Sequence, residues 1–244
     1  VEHLAAAQRQ ATALAKADLQ RLWGALNLTD PEQARDLLLE YVPELAAKYG
    51  DIAAEAAAEW YEQVRAQQGL SDYMALTSSA VDPAAVQGSV RYAAGNLFTD
   101  DPTKALALLS GAMQRWVMYS GRQTVARNAR HDPSKPRFAR VPTGDTTCAF
   151  CSMMASRGFV YYTKQTAGLT DKFHDDCDCQ ICAEWDRKAA HIEGYDPDKL
   201  YAEYQAARQQ ADGNTAEAIT ASMRRMFPES YSDGITTDLS PRTE

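Results

Sequence analysis

His131-Asp132-Pro133-Ser134-Lys135-Pro136 is where the texture of this 244-residue chain changes. Two prolines within four residues forbid helix continuation, because each lacks a backbone N–H and pushes its predecessor into extended conformation. Upstream, alanine-rich segments run ten or more residues without Gly or Pro. Downstream, the chain shortens into apolar alternation, turns and clustered cysteines before returning to helical spacing. The sequence therefore predicts a mainly α fold: a helical body over residues 1–130, a small irregular α+β Cys/His module over 131–185, and C-terminal helices with a tail over 186–244.

Moving outward toward the N-terminus, residues 2–27 read as one helix, with Leu4, Ala11, Leu14, Leu19, Leu22, Trp23 and Leu26 at helical spacing. Asn27-Leu28-Thr29-Asp30-Pro31 stops and restarts the chain, with Asp30 as N-cap and Pro31 at the first helical position. The next helix is expected to reach about Lys48, kinked or split at Pro43. Tyr49-Gly50-Asp51 punctuates again, so Ile52–Gln68 is read as a third helix closed by Gly69. Asp82-Pro83 opens a helix to about Leu97, and Asp101-Pro102 opens one to about Ala129. Connections of this length favour packing between neighbours.

Moving outward toward the C-terminus, Phe138-Ala139-Arg140-Val141 alternates as a short strand does. Phe159-Val160-Tyr161-Tyr162, aromatic and β-branched after Gly158, is its expected partner. Helices are expected over Ala183–His191, Asp196–Ala211 and Thr215–Met226, followed by a polar tail from Pro228. No internal repeat of 20 to 50 residues is evident.

Composition bounds the function classes. Hydrophobic residues make up 45% and charged residues 24%, as in globular proteins. No run of roughly 18 apolar residues occurs, so no membrane helix is expected. Residues Val1 to Ala13 contain no apolar stretch of the secretory kind, and a protein made and used inside a cell is expected. The net charge is −8, yet Arg122, Arg127, Arg130, Lys135, Arg137 and Arg140 face a lone Asp132 in one strip. An acidic body with one basic strip argues against generic nucleic-acid coating. The strip offers candidates for a nucleic-acid or partner contact in Arg122, Arg127, Arg130, Arg137 and Arg140, beside the plain alternative of a solvated connector. On a helix the first three spread over about 140°, which favours phosphate or protein contact over groove reading.

All five cysteines (Cys148, Cys151, Cys177, Cys179 and Cys182) fall between residues 148 and 182. An odd number without a secretory leader argues against a disulfide framework. Thr147-Cys148-Ala149-Phe150-Cys151 is a C-x2-C turn, and Phe173-His174-Asp175-Asp176-Cys177-Asp178-Cys179-Gln180-Ile181-Cys182 supplies H-x2-C-x-C-x2-C. A C-x2-C turn brings two sulfurs to one ion, and zinc takes four N/S ligands. Six residues compete for four places: Cys148, Cys151, His174, Cys177, Cys179 and Cys182. Structural zinc is the expected cofactor, since a loop module this small gains folding free energy from metal. Asp145 is placed to orient a metal-bound group or to cap the turn. Buried, reduced thiols without metal remain the alternative.

Asp145-x2-Cys148-x2-Cys151, followed by Gly158 and then His174-x2-Cys177-x-Cys179, resembles the C-terminal signature of the phage MuF-like minor head proteins, in particular their actinophage branch. The motif covers about residues 138–185, and the helical arrangement extends the likeness without adding specificity. Asp178 stands where many relatives carry Arg. The resemblance implies a minor capsid protein of the virion, assembled in the host cytoplasm. It further implies association with the portal protein or the major capsid protein, and a part in head assembly and in packaging or delivery of phage DNA. No catalytic residue is expected. The enzymatic alternatives are a capsid maturation protease and a zinc-dependent nuclease. Against the first stand four histidines and no G-x-S-x-G; against the second stands the lack of another His near His174. His191-Ile192-Glu193 follows the cysteines, the reverse of the deaminase order.

Overall fold

The computed structural model describes residues 1–144, 147–160, 175, 177–186, 192 and 194–231. Among the described residues the fold is mainly α, with one two-stranded ribbon. The chain divides into two compact units, Glu2–Lys135 and Pro136–Glu244, the second including Val1.

The first unit holds α1 (Glu2–Ala25), α2 (Pro31–Gln67), α3 (Pro83–Ala94) with a 3-10 turn over Gly95–Phe98, and α4 (Thr103–His131). Asp30 caps α2 by accepting the Gln33 N–H at 3.0 Å, and Asp82 caps α3 by accepting the Ala84 N–H at 2.9 Å. Both satisfy N–H groups that a helix start leaves unpaired. Along α2, Ala34, Leu38, Val42 and Ala46 recur every four residues and are buried, the stripe a helix needs to face a core. They join Ala15 and Leu19 of α1, Val86 and Val90 of α3, and Leu109, Met113 and Val117 of α4 in one cluster.

Two expected breaks are absent: α2 runs unbroken through Pro43 and Gly50. The missing hydrogen bond at Pro43 is local, whereas the apolar stripe on both sides of it is buried against other helices, and that burial decides. Gly50 serves a different purpose from punctuation. A Cβ there would stand 2.7 Å from Ser120 Oγ of α4, so glycine lets the two helices approach. The connection over residues 70–82 lies outside any helix or strand and is anchored by side chains. Asn128 accepts the Leu76 N–H and donates to the Leu76 carbonyl, and Thr124 Oγ accepts the Ser78 N–H.

The second unit holds β1 (Arg137–Val141), α5 (Ala149–Ala155), β2 (Gln180–Glu184), α6 (Pro197–Gln209) and α7 (Ala216–Met226). β1 forms as expected, but its antiparallel partner is β2, with Ala139 opposite Cys182 and Arg140 opposite Ile181. Of the expected partner strand, Phe159 and Val160 lie outside any strand, and Tyr161 and Tyr162 lie outside the described residues. Ala183 and Glu184, expected to start a helix, are in β2, because pairing with Phe138 and Arg137 supplies their backbone partners. Gly158 turns the chain after α5 with φ +68°, a conformation that suits glycine. Asp196 and Thr215 cap α6 and α7.

Candidate metal centre

The C-x2-C segment builds the first half of the centre. Cys148 is the N-cap of α5, its Sγ accepting the Cys151 N–H at 3.2 Å. The cap fixes where α5 begins, so Cys151 enters the first turn with its thiol pointing inward and fully buried. The C-x-C segment leading into β2 builds the second half. Asp178 between its cysteines is tied to the chain after β1: its carbonyl accepts from Thr143 Oγ at 2.6 Å, and its carboxylate accepts from Thr147 Oγ at 3.4 Å.

Three sulfurs converge. Cys151 Sγ lies 3.4 Å from Cys177 Sγ and 3.5 Å from Cys179 Sγ, and the last two are 3.1 Å apart. Zinc–sulfur bonds of about 2.3 Å in a tetrahedron put sulfurs about 3.8 Å apart. The triangle is thus a few tenths of an ångström tighter than one face of such a site. A small outward movement of each thiol admits an ion, so a buried cluster of these three cysteines can hold a metal. Cys148 packs against the same cluster.

Cys182 stands apart. It is buried, but it pairs with Ala139 across the ribbon, while Arg140 occupies the next register position. Side chains alternate faces along a strand, so Cys182 and Arg140 project from opposite faces. The Arg140 guanidinium reaches Cys151, with Nη1 3.7 Å from the sulfur. That contact marks Arg140's face as the one turned to the converging sulfurs. His174 and Asp145 of the expected set lie outside the described residues.

The electrostatics follow from burial. The Cys151 thiol is pushed well up, first by hydrogen bonding with Cys148 and then with Cys177 and Cys179. Burial pushes Cys179 upward, and pushes Cys182 up to about 12. Without an ion the Cys151 and Cys179 thiols therefore keep their protons near neutrality, and a metal entering the triangle must displace them. At Arg140, burial acts to lower the pKa, but attraction to Cys179, Cys151 and Cys177 outweighs it and the net shift is upward.

The basic strip does not form one surface. Arg122 and Arg140 are 1% and 0% exposed. Arg127 is half-buried and donates from Nη1 to the Thr77 carbonyl at 2.9 Å, and Arg137 donates from Nη2 to the Asp186 carbonyl at 3.1 Å. Arg130 is the exposed member of the five. Helix and strand periodicity turn alternate members inward, which a count of charges does not reveal. Arg140 had a legible signal, since it shares a strand face with Phe138 in an alternating run. A charge on the inward side of a strand requires an internal partner.

Among the described residues, no helix is long and apolar enough to cross a membrane. No solved structure matches the chain. Two curated relatives are phage proteins. The Gene 15 protein of Mycobacterium phage D29 is 38% identical over 74 residues, covering 29% of this chain and 26% of that protein. The Gene 15 protein of Mycobacterium phage L5 is 35% identical over 81 residues, covering 29% of this chain and 28% of that protein. The matched stretch thus spans little more than a quarter of either relative. The profile of the VG15 protein family, by contrast, matches residues 1–207, most of the chain. With a match of that extent and relatives encoded by mycobacteriophages, the chain belongs to the VG15 protein family, a family of phage proteins.

Proposed function

We propose that this chain is a MuF-like minor capsid protein. It acts as a structural component of the phage head, seated at the portal or the inner capsid surface, and takes part in head assembly and in packaging or delivery of DNA. The observation that carries the reading is the buried thiol cluster of Cys151, Cys177 and Cys179. It is set in the D-x2-C-x2-C and H-x2-C-x-C spacing, in a chain of a phage family whose other unit is an array of helices.

The cluster serves as a structural knuckle. Zinc held by these thiolates would supply folding free energy to a unit whose described ribbon is built from two short strands, and so would fix a docking surface for portal or major capsid subunits. The chain acts without turnover of its own. A thiol nucleophile must meet its substrate, and Cys151 is 0% exposed. The four helices of the first unit supply packing area for a protein partner, and Arg130, the exposed arginine of the basic strip, is placed to meet DNA phosphate.

Quantitative mass spectrometry of purified virions, with affinity capture of the portal protein from infected cells, tests this reading. The chain is expected in the particle in few copies and in the portal-containing fraction. Its absence from virions would sink the proposal. So would specific cleavage of capsid or scaffold protein that Cys151→Ala abolishes without loss of fold, which would establish the protease instead.

A further inference from the structure

Arg140 is among the largest fully buried side chains of the molecule, yet it carries a permanent charge. Its strand places it on a ribbon face shared with Phe138, Ile181 and Ala183, all apolar and buried. On that face Arg140 reaches sulfur: Nη1 is 3.7 Å from Cys151 Sγ, and the guanidinium carbon is 5.8 Å from the centre of the Phe150 ring in the same C-x2-C turn. The ring contact orients the guanidinium.

We infer that Arg140 is the built-in counter-cation of a metal–thiolate centre formed on Cys151, Cys177 and Cys179. The inference rests on the reading of this module as a metal knuckle. One divalent ion and three thiolates carry a net charge of −1 before any further ligand is counted, and a buried net charge is costly unless paired. A guanidinium held beside the sulfurs offsets that charge and offers an N–H group to Cys151. If Cys148 also binds as a thiolate, the same cation offsets part of the larger negative charge. Arg140 is thus a positioning and charge-balancing residue. The metal sits more tightly because the cation is already in place when the thiols give up their protons.

The test uses the full chain and its Arg140→Gln and Arg140→Lys variants, with zinc content measured by plasma mass spectrometry. Zinc affinity is measured by chelator competition, and cobalt substitution reports the thiolate-to-metal charge-transfer band. The parent is expected to hold zinc. Arg140→Gln should bind it about 10- to 100-fold more weakly, with a shifted cobalt band, and Arg140→Lys should recover most of the affinity. A purely packing role predicts equal loss in Gln and Lys, since both lose the planar fork. Equal loss, equal failure to fold, or no loss in Gln therefore overturns the inference while leaving the knuckle intact if the parent is loaded. If Gln alone fails to fold and Lys folds with zinc bound, the charge account stands. No zinc in the folded parent overturns both the knuckle and this inference.

Discussion

Arg65 Nε donates to Asp132 Oδ2 at 2.9 Å, with both side chains withdrawn from solvent. The pair joins the end of α2 to the residue that follows α4, just where the sequence changes texture. Tyr61 adds a hydrogen bond to the same carboxylate at 3.0 Å, Ser134 Oγ accepts from Arg65 Nη2 at 3.1 Å, and the Tyr73 ring lies 5.0 Å from the guanidinium. Removing one partner of such a pair strands a buried charge, which costs about 3–5 kcal/mol. Asp132→Ala is expected to lower stability by that amount in urea denaturation. Combining it with Arg65→Met should cost less than the two single changes together, with a coupling of about 0.5–3 kcal/mol. Strict additivity would show that the pair contributes nothing as a pair.

The close approach of α4 to its neighbours rests on two glycines with different tolerance. At Gly50 an added methyl meets Ser120 Oγ, the tip of a short side chain that can rotate away. At Gly121 it meets the Ala53 carbonyl oxygen at 3.1 Å, which is backbone and cannot yield, together with the Gln8 amide. Overpacking of this kind costs about 1–3 kcal/mol. Gly121→Ala is expected near the upper end and Gly50→Ala near the lower, with Gly50→Ala/Ser120→Ala recovering part of the loss in thermal melts. A reversed order would mean that the Gly50–Ser120 contact, not the backbone contact of Gly121 with Ala53, limits the approach.

The same glycines show what the sequence could and could not tell. Helix starts were readable at Asp30-Pro31, Asp82-Pro83 and Asp196-Pro197, because capping is settled by atoms within three residues. The unbroken α2 was not readable, because Pro43 and Gly50 are breakers only when tertiary packing does not outweigh them. β1 was legible from its alternation, but its pairing with Gln180–Glu184 was not. Strand pairing is a long-range choice, and Ala183-Glu184 alone reads as helix. At the candidate centre, spacing put six residues in competition. The structure brings Cys151, Cys177 and Cys179 together, and ribbon register sets Cys182 aside, a distinction of strand face that spacing cannot encode. The charge of Arg140 is plain in the sequence, but its burial depends on which side of β1 faces inward.

Asp18 of α1 gives a pH prediction. Tyr49 Oη donates to its carboxylate at 2.5 Å, Arg21 pairs with it, and Lys48 reaches it at 3.3 Å. The Tyr49 hydrogen bond above all, then Arg21, hold its pKa at about 2, against an ordinary value of 3.8. A carboxylate depressed on folding stabilises fully above its unfolded value, and that contribution disappears as pH falls from 3.8 through about 2. The site is partly solvated, so the contribution is about 0.5–1 kcal/mol. Asp18→Asn should therefore be less stable than the parent at pH 6 and converge on it as pH falls below about 2, followed by urea melts across that range. A stability gap that stays constant with pH would show that the Tyr49 contact acts through packing, not through the charge.

Cys177 and Cys182 are both buried and both belong to the same short segment, yet they should respond differently to the same change. Cys177 Sγ lies 3.4 Å from Cys151 Sγ and 3.1 Å from Cys179 Sγ, so serine there removes one corner of the triangle. Serine is a poor ligand for zinc beside thiolates, and Cys177→Ser is expected to purify without metal and to melt earlier. Cys182 sits opposite Ala139 on the far side of the ribbon. Its replacement buries a hydroxyl in place of a thiol, at a cost of about 1–3 kcal/mol, without touching the three sulfurs. Cys182→Ser should therefore lose stability but keep its metal, with an unchanged cobalt charge-transfer band. Metal per chain, read by plasma mass spectrometry on both variants, decides the matter. Loss in Cys182→Ser with retention in Cys177→Ser would mean that the ion is held from the other face of the ribbon.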